Sequence, residues 1–202
     1  MKLILLTTPD FFVEEDKILH SLFEEGLDIL HLRKPGTEPV YSERLLTLLP
    51  EEHHQQIVVH DHFYLKDEFN LKGIHLNRRN LEKPADYRGH VSRSCHTIEE
   101  LRQAKKACDY VFLSPIYDSI SKEDYHSAFD SATLERAAAE GWIDGKVMAL
   151  GGVTRENMGV LKAFGFGGVV ILGDLWNRFN IHSTKDYKEL LNHFRKLRDA
   201  AD

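Results

Sequence analysis

The sequence predicts an α/β chain folded as a (β/α)8 TIM barrel, and three observations carry that expectation. Short apolar runs alternate with helical patterns eight times within 202 residues. The runs are continuous and rich in β-branched residues, as in parallel strands buried on both faces. The first turn, "TTPDFF", has no glycine, whereas a doubly wound open sheet often begins with a glycine-rich turn and needs fewer units. No Pro/Gly/Ser-rich linker or low-complexity block divides the chain, so residues 1–202 are expected to form one domain.

The elements follow in order. "KLILLTT" (2–8) reads as a strand, and "EEDKILHSLFEEG" as a helix closed by Gly26. "DILHLR" (28–33) precedes the helical "YSERLLTLLP", and "QQIVVHD" precedes the short "FYLKDEFN". "GIHLN" (73–77) leads into a weakly patterned stretch to about residue 88. "HVSRS" (90–94) precedes "TIEELRQAKKA", where Thr97 and Glu100 have the spacing of a capping box. "YVFLSP" (110–115), "KVMALGG" (146–152) and "GGVVILG" (167–173) are the last strands, with helices expected over 131–140, 154–164 and 185–199.

Composition narrows the function. Hydrophobic residues make up 42% and charged residues 29%, the balance of a globular chain. The formal net charge of −6 argues against a nucleic-acid partner or an anionic membrane surface, so an anion site must be local. Cys95 and Cys108 form neither a disulfide framework nor a zinc pattern, which fits a reducing cytoplasm. "TTPD" interrupts the opening apolar run too early for a signal peptide, and no stretch has the length of a membrane span.

In a barrel of this kind the active face lies at the carboxyl ends of the strands. The second strand ends at Arg33, whose planar fork suits phosphate, or equally a structural carboxylate. The third ends at Asp61, an oxygen donor suited to Mg²⁺, between His60 and His62; their spacing invites zinc, but no second cluster completes it. The fifth offers Ser94 and His96, either facing a pocket or capping the next helix. The loop "SPIYDSISK" carries Ser119, Ser121 and Lys122, which suit an anion but also an ordinary solvated loop. The seventh ends in Gly151 and Gly152, allowing close backbone approach before a helix expected to open at Thr154. The eighth ends in Gly173 and Asp174, the latter repelling an anion if it points inward.

These strand ends resemble the thiamine phosphate synthase/thiazole tautomerase superfamily from the first strand to the eighth. "SPIYDSISK" is similar to its G-P-I/V-Y/F-P-T-x-T-K, "GIHLNRRNL" to G-V-H-L-G-Q-x-D-L, and "ALGGV" to A-I-G-G-I. "GFGGVVILGDL" is similar to the final G-A-D-G-V-x-V-x-S-A-I. The resemblance implies a transferase of thiamine biosynthesis that uses Mg²⁺ and joins a pyrimidine diphosphate to a thiazole phosphate. It implies that Arg33 and Lys122 contact the diphosphate, that Ser94 contacts substrate, and that Asp61 holds the metal. Ser119, Ser121 and the Gly152 backbone would hold the thiazole phosphate. Association into a homo-oligomer is also carried over from the family.

The chain departs from the pattern at several places. His31 replaces a glutamine, and Pro35 takes a lysine position with Lys34 one place early. His60 replaces an asparagine, Asn80 replaces an acidic metal ligand, and Gly173 replaces a serine. On the family's pattern these five, His31, Lys34, His60, Asn80 and Gly173, are still expected around substrate or metal. Two alternatives stay open: a tautomerase, whose proton-transfer histidine is Pro115 here, and a non-catalytic phosphate-ligand binder. Product formation, isomer conversion and binding alone separate the three.

Overall fold

Eight strands pair in chain order and close into a ring, every pair parallel. They are β1 (Lys2–Leu6), β2 (Ile29–Leu32), β3 (Ile57–Val59), β4 (Gly73–Leu76), β5 (His90–Cys95), β6 (Tyr110–Leu113), β7 (Val147–Leu150) and β8 (Gly168–Ile171). The computed structural model describes residues 1–118, 126–178 and 184–202, with side chains from residue 186 in the last segment. The ring closes where β1 meets β8, with Leu3 opposite Val169 and Ile4 opposite Val170. The expected (β/α)8 barrel is therefore the observed fold.

Alternation along each strand builds two cores. Leu3 and Leu5 point outward to the helices, whereas Ile4 and Leu6 point into the barrel. The outer layer is shown by α1 (Glu15–Glu24), which buries Ile18, Leu19, Leu22 and Phe23. Each such side chain contributes about 1.5–3 kcal/mol when fully buried. The inner layer holds Ile29, Val58, Tyr110, Phe112 and Met148. Above them, the interior becomes polar.

The remaining helices are α2 (Pro39–Leu48), α3 (Leu65–Glu68), α4 (Ile98–Ala104), α5 (Ser131–Ala139), α6 (Met158–Ala163), α7 (Gly173–Trp176) and α8 (Thr184–Ala201). Thr97 caps α4, its Oγ1 accepting from the Glu100 backbone N at 3.1 Å. The reciprocal carboxylate bond goes to the His96 backbone N at 2.6 Å instead of Thr97. The helix expected from Thr154 begins only at Met158. Asn157 is the reason: its Oδ1 accepts from Thr154 N at 3.0 Å and its Nδ2 donates to Gly152 O at 2.9 Å, holding a turn before the helix. The short α7 was not expected; it continues directly from β8.

Candidate active site

All eight strand ends contribute to one cleft of about 580 Å³ at the carboxyl face of the barrel. Arg33 enters from β2, His60 from β3 and Ser94 from β5, while Gly152 and Gly173 line it after β7 and β8. These five sites expected from the sequence do converge. Cleft size and mixed lining suit a small-molecule site.

The glycine pair has a steric cause. Gly151 and Gly152 both have positive φ, +100° and +60°. A Cβ on Gly152 would lie 2.2 Å from Asp118 O and 2.6 Å from Tyr117 Cβ. Only glycine lets the ends of β6 and β7 pass this closely. Asp174 does not oppose an anion there: its buried carboxylate accepts from His193 Nε2 at 2.8 Å and from Nη2 of the exposed Arg178 at 2.9 Å.

The cleft is more cationic than the sequence reading anticipated. Arg78 and Arg79, from the loop after β4, line it beside Arg33. The signal was present in "NRRN", but nothing in the sequence shows which side of that loop faces inward. Burial and the neighbouring Arg79 lower Arg33 from the ordinary arginine value, with Asp61 opposing them. Among the described residues no carboxylate forms an ion pair with Arg33, so its fork is available to a ligand.

Three expectations need correction. His31 does not reach the cleft. It is fully buried below it, with Nδ1 2.8 Å from His60 Nε2 and Nε2 2.6 Å from Tyr110 Oη. It therefore stands behind His60 and is not among the residues that line the cleft. Lys34 does not swing in for the lysine displaced by Pro35. Its Nζ lies 2.6 Å from Glu15 Oε1 and 2.8 Å from the Asp10 carbonyl, with both side chains of the ion pair almost wholly buried. Asp61 and Asn80 adjoin one another but do not offer a free oxygen cage. Arg79 takes both Asp61 oxygens at 3.1 and 2.9 Å, and Asn80 Nδ2 donates to Asp61 Oδ1 at 3.0 Å. Magnesium needs carboxylate oxygens that are free to turn toward it. This set, with its one carboxylate already neutralised, does not fit Mg²⁺. Ser119, Ser121 and Lys122 lie outside the described residues.

Beneath the cleft is a second feature that sequence reading missed. His75 accepts or donates through both ring nitrogens, at 2.8 Å to Ser92 Oγ and 2.8 Å to Ser94 Oγ. Its ring stacks on His60 with centroids 4.2 Å apart. Burial holds His31 and His60 well below the ordinary histidine range and lowers His75 to about 3, so all three are neutral. Ser94, in the cleft wall, thus stands on a neutral imidazole layer, and His60 carries that layer to the cleft. The His60–His62 pair is not a zinc clasp: His62 Nε2 instead bonds Thr37 O at 3.1 Å.

The closed parallel barrel with one cleft fed by every strand end defines a (β/α)8-barrel enzyme. Residues 3–175 match the family model described as thiamine monophosphate synthase, and the chain belongs to that family. It is 29% identical over 157 residues to the thiamine-phosphate synthase of Halalkalibacterium halodurans, covering 71% of this chain and 73% of that one. It is 26% identical to the enzyme of the same name from Herpetosiphon aurantiacus, covering 87% of each. A crystal structure of thiamine phosphate pyrophosphorylase from Bacteroides thetaiotaomicron superposes with a TM-score of 0.92 at 56% identity, over 99% of this chain and 97% of that one.

Proposed function

We propose that the cleft joins a 4-amino-2-methyl-5-pyrimidinylmethyl diphosphate to a thiazole phosphate, giving thiamine phosphate and diphosphate. The bond from the pyrimidinylmethyl carbon to oxygen breaks, and diphosphate leaves with the electron pair. The thiazole nitrogen lone pair then forms the new carbon–nitrogen bond, so the reaction needs no oxidant or added base. The barrier is the charge growing on the departing diphosphate. Preorganised donors aimed at that charge are worth most in a cleft with little water.

The observation that carries this reading is the convergence of Arg33, Arg78 and Arg79 on one side of the cleft of a synthase-family chain. The diphosphate lies against Arg33 and Arg79, with Lys122 added on the strength of the family motif. Ser94 and His60 form the wall against the pyrimidine. The thiazole phosphate takes the opposite side, near Gly152 and Gly173, with Ser119 and Ser121 added on the strength of the family motif. In this reading the countercharge is guanidinium. The setting is cytoplasmic, supported by two buried free thiols, Cys95 and Cys108. Among the described residues no helix is long and apolar enough to cross a membrane. Association into a homo-oligomer completes the reading, and sedimentation measures it.

The test mixes purified protein with both substrates and follows thiamine phosphate by mass. Arg33→Ala is expected to lower the rate about a hundredfold or more, the scale of losing one transition-state donor. Undiminished turnover in that variant sinks the assignment of the diphosphate side. Binding of both substrates without product returns the chain to the class of phosphate-ligand binders.

A further inference from the structure

On the outside of the barrel, opposite the cleft, two imidazoles and two carboxylates meet. His20 and Glu24 lie one turn apart on α1, and His53 and Glu52 lie in the 3-10 turn Glu51–Gln56 that leads into β3. His20 Nδ1 is 3.0 Å from His53 Nε2. Glu24 Oε1 and Glu52 Oε1 stand 3.8 and 4.0 Å from the same His53 nitrogen. We propose that His20, His53 and Glu24 form a binding site for a divalent transition-metal ion of the zinc class, with Glu52 able to close the fourth position.

The separations have the right scale. Zinc–nitrogen bonds of about 2.0–2.1 Å in a tetrahedron leave ligand atoms roughly 3.3 Å apart. The observed separations from His53 Nε2, 3.0, 3.8 and 4.0 Å, lie on both sides of that value. Only small side-chain movement is required, and both glutamates are exposed and free to make it. Two imidazoles with carboxylate select zinc, cobalt or nickel over magnesium, which prefers oxygen alone.

His53 is also aimed. Gln56 Nε2 donates to Leu27 O at 3.0 Å, which turns Gln56 Oε1 toward His53 Nδ1 at 3.4 Å. A proton held on Nδ1 by that acceptor leaves Nε2 with its lone pair toward His20 and Glu24. The ring is further fixed by stacking on Phe23, with centroids 4.5 Å apart and planes 12° from parallel. An outer partner that sets tautomer and angle is the usual support of a histidine ligand. The buried trio His31, His60 and His75 lacks this arrangement. Both His75 nitrogens are used by serines, and the stacked rings of His60 and His75 cannot turn two in-plane lone pairs to one point. An ion at the outer site would bridge α1 to the entry of β3, on the barrel face concerned with stability and not catalysis.

The test is a Co²⁺ titration of untagged full-length protein, reading visible d–d absorption. One equivalent of tetrahedral Co²⁺, displaced by Zn²⁺ and indifferent to excess Mg²⁺, is expected. His20→Ala and Glu24→Gln each weaken binding tenfold or more, and Gln56→Leu weakens it about 10–100-fold as an outer partner. Added Zn²⁺ should raise the melting temperature of the native chain but not of the His20→Ala/Glu24→Gln variant. Absence of a one-to-one signal overturns the site. So does an unchanged titration in His20→Ala, or a signal lost in His75→Gln and retained in His20→Ala. None of these outcomes depends on turnover in the cleft.

Discussion

Arg79 holds Asp61 through a two-point ion pair, Nε to Oδ1 at 3.1 Å and Nη2 to Oδ2 at 2.9 Å. A carboxylate bound this way is neutralised by a fixed cation beside the cleft, and the position expected for a metal ligand becomes part of a guanidinium wall. Several properties of the protein depend on such choices of partner.

Diphosphate binding should therefore respond weakly to Mg²⁺. Inorganic diphosphate, titrated by calorimetry with Mg²⁺ or with chelator, is expected to bind the native chain with closely similar midpoints. In Arg79→Gln/Asn80→Asp, a fixed positive charge leaves and a carboxylate joins Asp61. Mg²⁺ should then strengthen binding by roughly tenfold, about 1.4 kcal/mol. A native chain that releases diphosphate when chelator is added would restore Asp61 as a metal ligand.

Lys34 should matter for stability and not for turnover. Glu15 Oε2 already has no hydrogen-bond partner, and burial raises the Glu15 carboxyl even with Lys34 beside it. Lys34→Ala leaves that carboxyl buried and unpaired, at a cost of about 3–5 kcal/mol in urea unfolding. Replacing both partners, Glu15→Leu with Lys34→Met, should recover most of this loss. A stable double variant that has lost turnover would show that Lys34 reaches substrate after all.

Acid should weaken the fold through the imidazole layer. The folded protein keeps His31, His60 and His75 neutral, whereas unfolded histidine titrates near 6.5. Below that pH the unfolded chain binds more protons, so this stabilisation is complete above about 6.5 and declines as pH falls toward the folded values, about 3 for His75. Each histidine contributes a slope of up to about 1.4 kcal/mol per pH unit. Urea midpoints measured from pH 7.5 to 4.5 should fall with a slope of more than one proton, and His31→Gln should flatten it. A flat native profile would mean that the layer is protonated or solvated when folded.

Gly152→Ala should disturb the thiazole-phosphate side selectively. The residue sits at φ +60°, where a Cβ costs roughly 1–2 kcal/mol before any contact is counted. The added carbon also meets Asp118 O at 2.2 Å, so the loop after β6 must move. The expected kinetics are a raised KM for thiazole phosphate with a smaller change for the pyrimidine diphosphate. An unchanged KM for thiazole phosphate in Gly152→Ala, relative to the native chain, would place that phosphate elsewhere.

Read alone, the sequence determined the barrel, its strand order and the convergence of Arg33, His60, Ser94, Gly152 and Gly173. Continuous apolar runs separated by helical patterns have few other ways to bury themselves, and strand ends in a parallel barrel all face the same way. The tertiary structure alone decided who pairs with whom. Asp61 became Arg79's partner, Lys34 became Glu15's, and His31 went under the cleft floor, because each depends on which side of a strand or loop the side chain leaves. Those pairings join residues as far apart in sequence as His31 and Tyr110, 79 positions. Local spacing carries no record of such contacts; only closure of the ring brings β2 and β6 residues together across the interior.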